Sequence, residues 1–106
     1  MKVVVTLPDG STHELAVRPG ASIMECMRSA GLPIRAECGG AMACATCHVR
    51  VDPAWIERVG GARGEEIDLL DMSDYRTANS RLCCQIRPGP ALDGLRVELQ
   101  LDAYEG

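Results

Sequence analysis

The feature that most constrains this chain is the placement of its six cysteines. Three of them lie within residues 38–47, which read CGGAMACATC, and the adjacent pair Cys83 and Cys84 follows far downstream. The N-terminal stretch MKVVVTLPDGSTHELAV lacks the long apolar segment and cleavage site of a signal peptide, so we expect a cytoplasmic protein. Stable disulfides are rare in that compartment. The thiols therefore indicate metal chemistry.

The spacing of the thiols favours an iron–sulfur cluster. Five residues separate Cys38 from Cys44, two separate Cys44 from Cys47, and a remote cysteine completes a set of four. Four thiolates are what a 2Fe-2S cluster requires, and the plant-type pattern differs only in having four residues where this chain has five. The remote ligand is Cys83 or Cys84. Neighbours on an extended chain point to opposite sides, which supports one of the two but does not choose between them.

The composition of the cysteine loop supports the same interpretation. Its glycines and alanines are small, so the backbone can wrap closely around a compact inorganic core and point amide N–H groups at sulfur. Such hydrogen bonds favour the more negative reduced state of a cluster. The residues that we expect to surround the cluster are Gly39, Gly40, Ala43, Thr46 and His48.

Three other chemistries compete for these residues. The segment from Cys44 to His48 spells the CxxCH pattern of covalent haem attachment, with His48 and a methionine such as Met72 as axial ligands. That interpretation leaves the other cysteines idle, requires a translocated protein and lacks aromatic side chains, which are 3% of the residues. Structural zinc sites usually combine two close cysteine pairs, and a thioredoxin-like CxxC opens a helix after a strand. Neither pattern occurs here.

Periodicity and turn residues predict an α+β chain that forms one domain over residues 1–106. An Asp-Gly turn joins the first two strands into a hairpin, and Ser22 with Glu25 forms a capping box at the start of the first helix. The opening hairpin implies a mixed sheet with a packed helix, as in the β-grasp arrangement. The predicted elements are strands 2–7 and 12–17, a helix over 22–30, a long loop over 32–47, a strand over 48–51, a helix over 65–72, extended chain over 79–86 and a strand over 95–101.

Charge narrows the class of partner. The formal net charge is -4, and the eleven basic residues form no run, which disfavours nucleic acid as a partner. No stretch approaches the roughly 20 apolar residues of a membrane helix. An acidic cluster falls within ten residues of the second helical segment, and it favours a basic protein partner. Its members are Glu65, Glu66, Asp68, Asp71 and Asp74.

The segments ECGGAMACATCHVRV and NSRLCCQI, together with the hairpin and the acidic helix, resemble the vertebrate-type 2Fe-2S ferredoxins, the adrenodoxin and putidaredoxin group. The resemblance implies a β-grasp ferredoxin with one 2Fe-2S cluster. It also implies an electron carrier, not an enzyme by itself, that takes one electron from a flavin-dependent ferredoxin reductase to an acceptor, often a cytochrome P-450. By the resemblance, the fourth ligand is the cysteine directly before Gln85. The implied ligands are Cys38, Cys44, Cys47 and Cys84.

The resemblance also assigns a role to the acidic helix. It implies that Asp68 and Asp71 are the main acidic pair that docks basic partners, with Glu65 and Glu66 beside them. Cys26 and Cys83 are interpreted as small buried residues, and we expect a monomer. Two alternatives remain open, which are a role in iron–sulfur cluster biosynthesis and a structural zinc module without redox activity.

Overall fold

The computed structural model describes residues 2–18, 20–35 and 46–105. Its five strands form one mixed sheet in the order β2-β1-β5-β3-β4. The strands β1 and β5 are parallel, and the other neighbours are antiparallel. The strands are β1 Lys2–Thr6, β2 Thr12–Ala16, β3 His48–Val51, β4 Ser80–Leu82 and β5 Leu95–Leu99. This arrangement confirms the predicted hairpin and the α+β class.

Three α-helices and three 3-10 helices accompany the sheet in the described part of the chain. The predicted capping box of α1 is present: the Ser22 hydroxyl accepts from the Glu25 N–H at 3.2 Å, and the Glu25 carboxylate accepts from the Ser22 N–H at 3.1 Å. These bonds hold the pKa of Glu25 below its ordinary value. The α-helices are α1 Ile23–Ser29, α2 Ile56–Val59 and α3 Glu65–Asp71, and the 3-10 helices are Cys83–Gln85, Pro90–Leu92 and Leu101–Ala103.

The core lies between the sheet and the helices and is aliphatic, as predicted. Alternation along β5 buries Leu95, Val97 and Leu99 and exposes the two charged residues between them. Helix α1 contributes Ile23, Met24, Cys26 and Met27. Cys26 and Cys83 are both buried in this core, which confirms the prediction that they are buried.

Two segments differ from the prediction in their conformation. Extended chain was predicted over residues 79–86, but the strand ends at Leu82 and a 3-10 turn follows at Cys83–Gln85. The last strand was predicted to reach Leu101, but it ends at Leu99. Helix α2 was not predicted. A short helix without a side-chain cap leaves no periodic signal, and Trp55 holds α2 by stacking under the Arg58 guanidinium, 4.9 Å from the ring centre.

None of the helices in the described ranges has both the length and the apolar character that crossing a bilayer requires.

Candidate metal centre

Pairing of β3 with β4 brings two of the predicted ligands together. Cys47 directly precedes β3, and Cys84 lies in the turn that follows β4. The two strands are antiparallel with His48 opposite Leu82, and the Cys83 N–H donates to the Cys47 carbonyl at 2.9 Å. Both Cys47 and Cys84 are buried. Two thiols from distant parts of the sequence thus lie on hydrogen-bonded neighbouring segments.

The 3-10 turn gives the two adjacent cysteines different surroundings. Cys83 is fully buried among core side chains, in the part of the protein that α1 covers. Cys84 retains 4% exposure, and its sulfur accepts from the Gln85 side-chain amide, 3.5 Å away. Alternation along an extended strand does not apply here because the chain turns at Cys83, so both thiols are buried.

The donor chemistry fits a cluster. Thiolates are the ligands that iron–sulfur clusters use, and Cys47 and Cys84, the two predicted ligands among the described residues, are sheltered from water. Thr46, half-buried, directly precedes Cys47. The remaining residues predicted to bind or surround a cluster lie outside the described residues: Cys38, Gly39, Gly40, Ala43 and Cys44.

The C-terminal segment holds the start of the cysteine loop. The Arg35 N–H donates to the Ala103 carbonyl at 2.9 Å, the Glu105 N–H donates to the Pro33 carbonyl at 2.8 Å, and Ile34 forms a β-bridge with Tyr104. Sequence reasoning gave no weight to this contact. No motif marks it, because it consists of backbone hydrogen bonds between segments distant in sequence.

His48 is buried and forms the centre of a polar network whose other members are buried or half-buried. Its ring Nδ1 lies 3.1 Å from the Asp102 carboxylate and 3.2 Å from the Ser73 hydroxyl, and its Nε2 lies 2.6 Å from the Ser80 hydroxyl. The Ser73 hydroxyl also donates to Asp102. Both ring nitrogens therefore face protein groups, and the network joins the residue after Cys47 to the end of α3, to β4 and to the C-terminal segment.

Glu66 corrects the predicted docking surface. Its carboxylate is buried, accepts from the Arg81 Nε at 2.6 Å and from the Leu82 N–H at 2.9 Å, and is unavailable to a partner. Arg81 also donates to the Gly60 carbonyl at 2.7 Å. The sequence shows an acidic run, but it does not show that this one position faces β4, where a buried arginine requires a carboxylate.

The other predicted docking acids remain at the surface of α3. Glu65 and Asp68 are exposed, and the hydrogen bonds and ion pairs found among the described residues give neither of them a cationic partner. Asp71 is exposed as well, but it pairs with Arg76. Asp68 and Asp71 are three residues apart and lie on one side of the helix. The negative charge of Asp68 is therefore more available to a partner than that of Asp71, which Arg76 partly neutralises.

Comparison with known proteins identifies the family. The family model of the 2Fe-2S iron-sulfur cluster binding domain matches residues 6–89. Putidaredoxin of Pseudomonas putida is 43% identical over 100 residues, covering 92% of this chain and 94% of that protein. The chain belongs to the 2Fe-2S ferredoxins of the adrenodoxin and putidaredoxin type. Like them, this ferredoxin is an electron-transfer protein with one 2Fe-2S cluster and not an enzyme.

Solved structures agree with the family and the fold. The ferredoxin from Rhodopseudomonas palustris superimposes with a TM-score of 0.90 at 39% identity, covering 98% of this chain and 100% of that one. The covalent complex of putidaredoxin reductase with putidaredoxin matches with a TM-score of 0.87 at 42% identity, covering 93% of this chain and 97% of that one. The predicted β-grasp ferredoxin fold is confirmed.

The buried and exposed acids of α3 should respond differently to neutralisation. Glu66→Gln leaves the buried Arg81 charge without its counterion, so we expect the free energy of unfolding to fall by about 3 kcal/mol. Asp68→Asn is a matched change on the exposed side of the same helix and should change it by less than about 0.5 kcal/mol. Urea unfolding followed by circular dichroism measures both. Equal effects would contradict the assignment of Glu66 to a buried ion pair.

Proposed function

We propose that this ferredoxin takes single electrons from a flavin-dependent ferredoxin reductase and delivers them to a cytochrome P-450. The observation that carries the proposal is the 42% identity, over 93% of this chain, to a chain of the solved covalent complex between putidaredoxin reductase and putidaredoxin. The P-450 acceptor is what the family resemblance implies. The proposed carrier is a monomeric, cytoplasmic, single-domain protein over residues 1–106, with neither nucleic acid nor a membrane as a partner.

The proposed cluster ligands are Cys38, Cys44, Cys47 and Cys84. When bound, a 2Fe-2S cluster supplies one-electron redox chemistry in which no bond is made or broken. Burial of Cys47 and Cys84 keeps water from their sulfurs. The His48 network fixes the backbone beside Cys47, and the pairing of the C-terminal segment with residues 33–35 fixes the other end of the loop. Because both ends of the cysteine loop are fixed, the protein around the cluster rearranges less when the cluster gains or loses an electron.

The proposed docking surface is the exposed face of α3, with Asp68 and Glu65 as its unneutralised charges and Asp71 as a weaker member. Four thiolates and a core of two ferric ions and two sulfides bring the net charge from -4 to about -6, and to about -7 after reduction. A protein this negative attracts a basic partner before contact, and the attraction weakens as salt screens it. Electrostatic steering therefore supports α3 as the contact with a basic reductase.

The proposal is tested by anaerobic reduction with putidaredoxin reductase and its reduced pyridine nucleotide, followed by visible absorption. We expect the visible absorption of the ferredoxin to bleach partly, and a small amount of reductase to suffice for many equivalents of ferredoxin. Oxidation by a P-450 with substrate bound should then restore the absorption. Bleaching by dithionite but not by the reductase at any concentration would contradict the reductase as donor, and reoxidation unaffected by the P-450 would contradict the acceptor.

The two adjacent cysteines provide a matched pair for the ligand assignment. Cys84→Ser replaces a proposed iron ligand, so we expect it to lose the cluster or to shift its visible and electron paramagnetic resonance spectra. Cys83→Ser makes the same atomic change in a buried core thiol and should keep the spectra of the unmodified protein. Spectra that change with Cys83→Ser and not with Cys84→Ser would reverse the assignment.

The docking surface is tested by neutralising one exposed acid. Asp68→Asn should raise the Michaelis constant for the reductase about two- to fivefold at low salt, which is the range of an exposed ion pair. The increase should fade at 0.15 M salt, where the screening length is about 8 Å. Glu14→Gln is the control for net charge because it removes one charge from β2, at the opposite edge of the sheet from β4, where α3 packs. Among the described residues Glu14, unlike Asp68, has a cationic neighbour, the exposed Lys2 at 3.6 Å. Equal effects of the two changes would show that net charge, and not α3, sets the affinity.

A further inference from the structure

We propose that the side chain of Gln85 raises the reduction potential of the cluster by donating an amide N–H to the sulfur of Cys84. The inference rests on the proposed function, in which Cys84 is an iron ligand. The Gln85 Nε2 lies 3.5 Å from the Cys84 Sγ. Gln85 is not a proposed iron ligand. It acts on the cluster through Cys84, as a positioning residue.

The local fold places this amide over the sulfur. The 3-10 turn at Cys83–Gln85 turns the chain at the point where it leaves the sheet, so Cys84 stays buried while the next residue reaches the surface. The Ile23 N–H donates to the Ile86 carbonyl at 2.9 Å and anchors the far end of the turn to the start of α1. The turn is thus held on both sides, by Ile23 and by the bond from Cys83 to Cys47.

The neighbourhood of Gln85 contains a buried ion pair. Gln85 lines a surface groove whose other walls come from α3, β4 and the residues after α2. The ion pair of Arg81 with Glu66 forms part of this groove, and Arg81 also binds the carbonyl of Gly60. Arg81 and Glu66 neutralise each other, Arg63 adds a positive charge to the groove, and the Gln85 amide is a side-chain donor to the Cys84 sulfur.

A carboxamide suits the role for a chemical reason. Its NH₂ group donates without carrying a charge, whereas an ionised glutamate only accepts. A donor to a thiolate binds more strongly as the negative charge on sulfur increases. The reduced cluster carries one more electron than the oxidised cluster, so the N–H···S bond stabilises the reduced state more and shifts the potential upward. Unlike a backbone donor, this one can be removed by substitution.

The test is the midpoint potential of the holoprotein, measured by anaerobic spectroelectrochemical titration. In Gln85→Met we expect the ratio of reduced to oxidised protein at the original midpoint to fall about three- to tenfold, the worth of one hydrogen bond. At 59 mV per tenfold for one electron, this is a decrease of about 30 to 60 mV. Gln85→Glu, which removes the donor and adds a negative charge, should lower the potential further.

Gln100→Met is the matched control. It is the same substitution at the chain's other glutamine, whose side-chain amide donates to the Glu98 carbonyl at 3.1 Å and not to a sulfur. We expect its potential to equal that of the unmodified protein. A fall of similar size in Gln85→Met and Gln100→Met would attribute the effect to side-chain polarity in general and would overturn the proposal.

The proposal can be decided whether or not Gln85→Met holds a cluster. An unchanged midpoint in Gln85→Met with unchanged visible and paramagnetic spectra overturns it. If Gln85→Met does not hold a cluster, the isosteric Gln85→Glu decides, because an unchanged potential there would equally overturn the proposal. Failure of the proposed function is seen separately, as absent reduction by the reductase or absent reoxidation by the P-450. Failure of the ligand assignment is seen as unaltered spectra in Cys84→Ser, whatever the midpoint of the Gln85 variants.

Discussion

The backbone hydrogen bond from the Cys83 N–H to the Cys47 carbonyl is the constraint on which the rest of the site depends. It extends the pairing of β3 with β4 by one step beyond the sheet. This hydrogen bond holds Cys47 beside the 3-10 turn that contains Cys84. The register of the sheet places His48 opposite Leu82. The same register therefore sets the positions of Cys47, which precedes His48, and of the turn that follows Leu82.

Two polar clusters stabilise the contact between the Cys47 segment and the turn after β4, each from a different side. The Glu66 carboxylate binds Arg81 and the Leu82 N–H, and so attaches α3 to β4. The His48 ring binds Ser80 and Asp102, and so attaches β3 to β4 and to the C-terminal segment. In the described ranges every buried side-chain nitrogen or oxygen has a hydrogen-bond partner. Fully paired clusters of this kind favour a single arrangement, since each partner that moved would leave a buried polar group unsatisfied.

Local patterns predicted the elements well where the physical cause is local. The Asp-Gly turn, the Ser22 and Glu25 capping box and the alternation of Leu95, Val97 and Leu99 each depend on residues a few positions apart, and each is confirmed. The 3-10 turn at Cys83–Gln85 and the short helix α2 escaped prediction. Neither has a periodic pattern, because tertiary contacts hold them: the turn packs against α1, and α2 packs against the 3-10 helix Pro90–Leu92.

The sequence by itself determined the family, the 2Fe-2S chemistry and the class of fold, because cysteine spacing and turn residues carry those directly. It did not determine which member of the acidic run is available to a partner. Glu66 and Asp68 are both acids on one short helix, and only the packing of α3 on β4 separates the buried carboxylate from the exposed one. Likewise, only the tertiary structure brought Asp102 to His48 and placed the Gln85 amide against the Cys84 sulfur. These contacts depend on how a side chain is directed in the folded chain, and no local pattern encodes that direction.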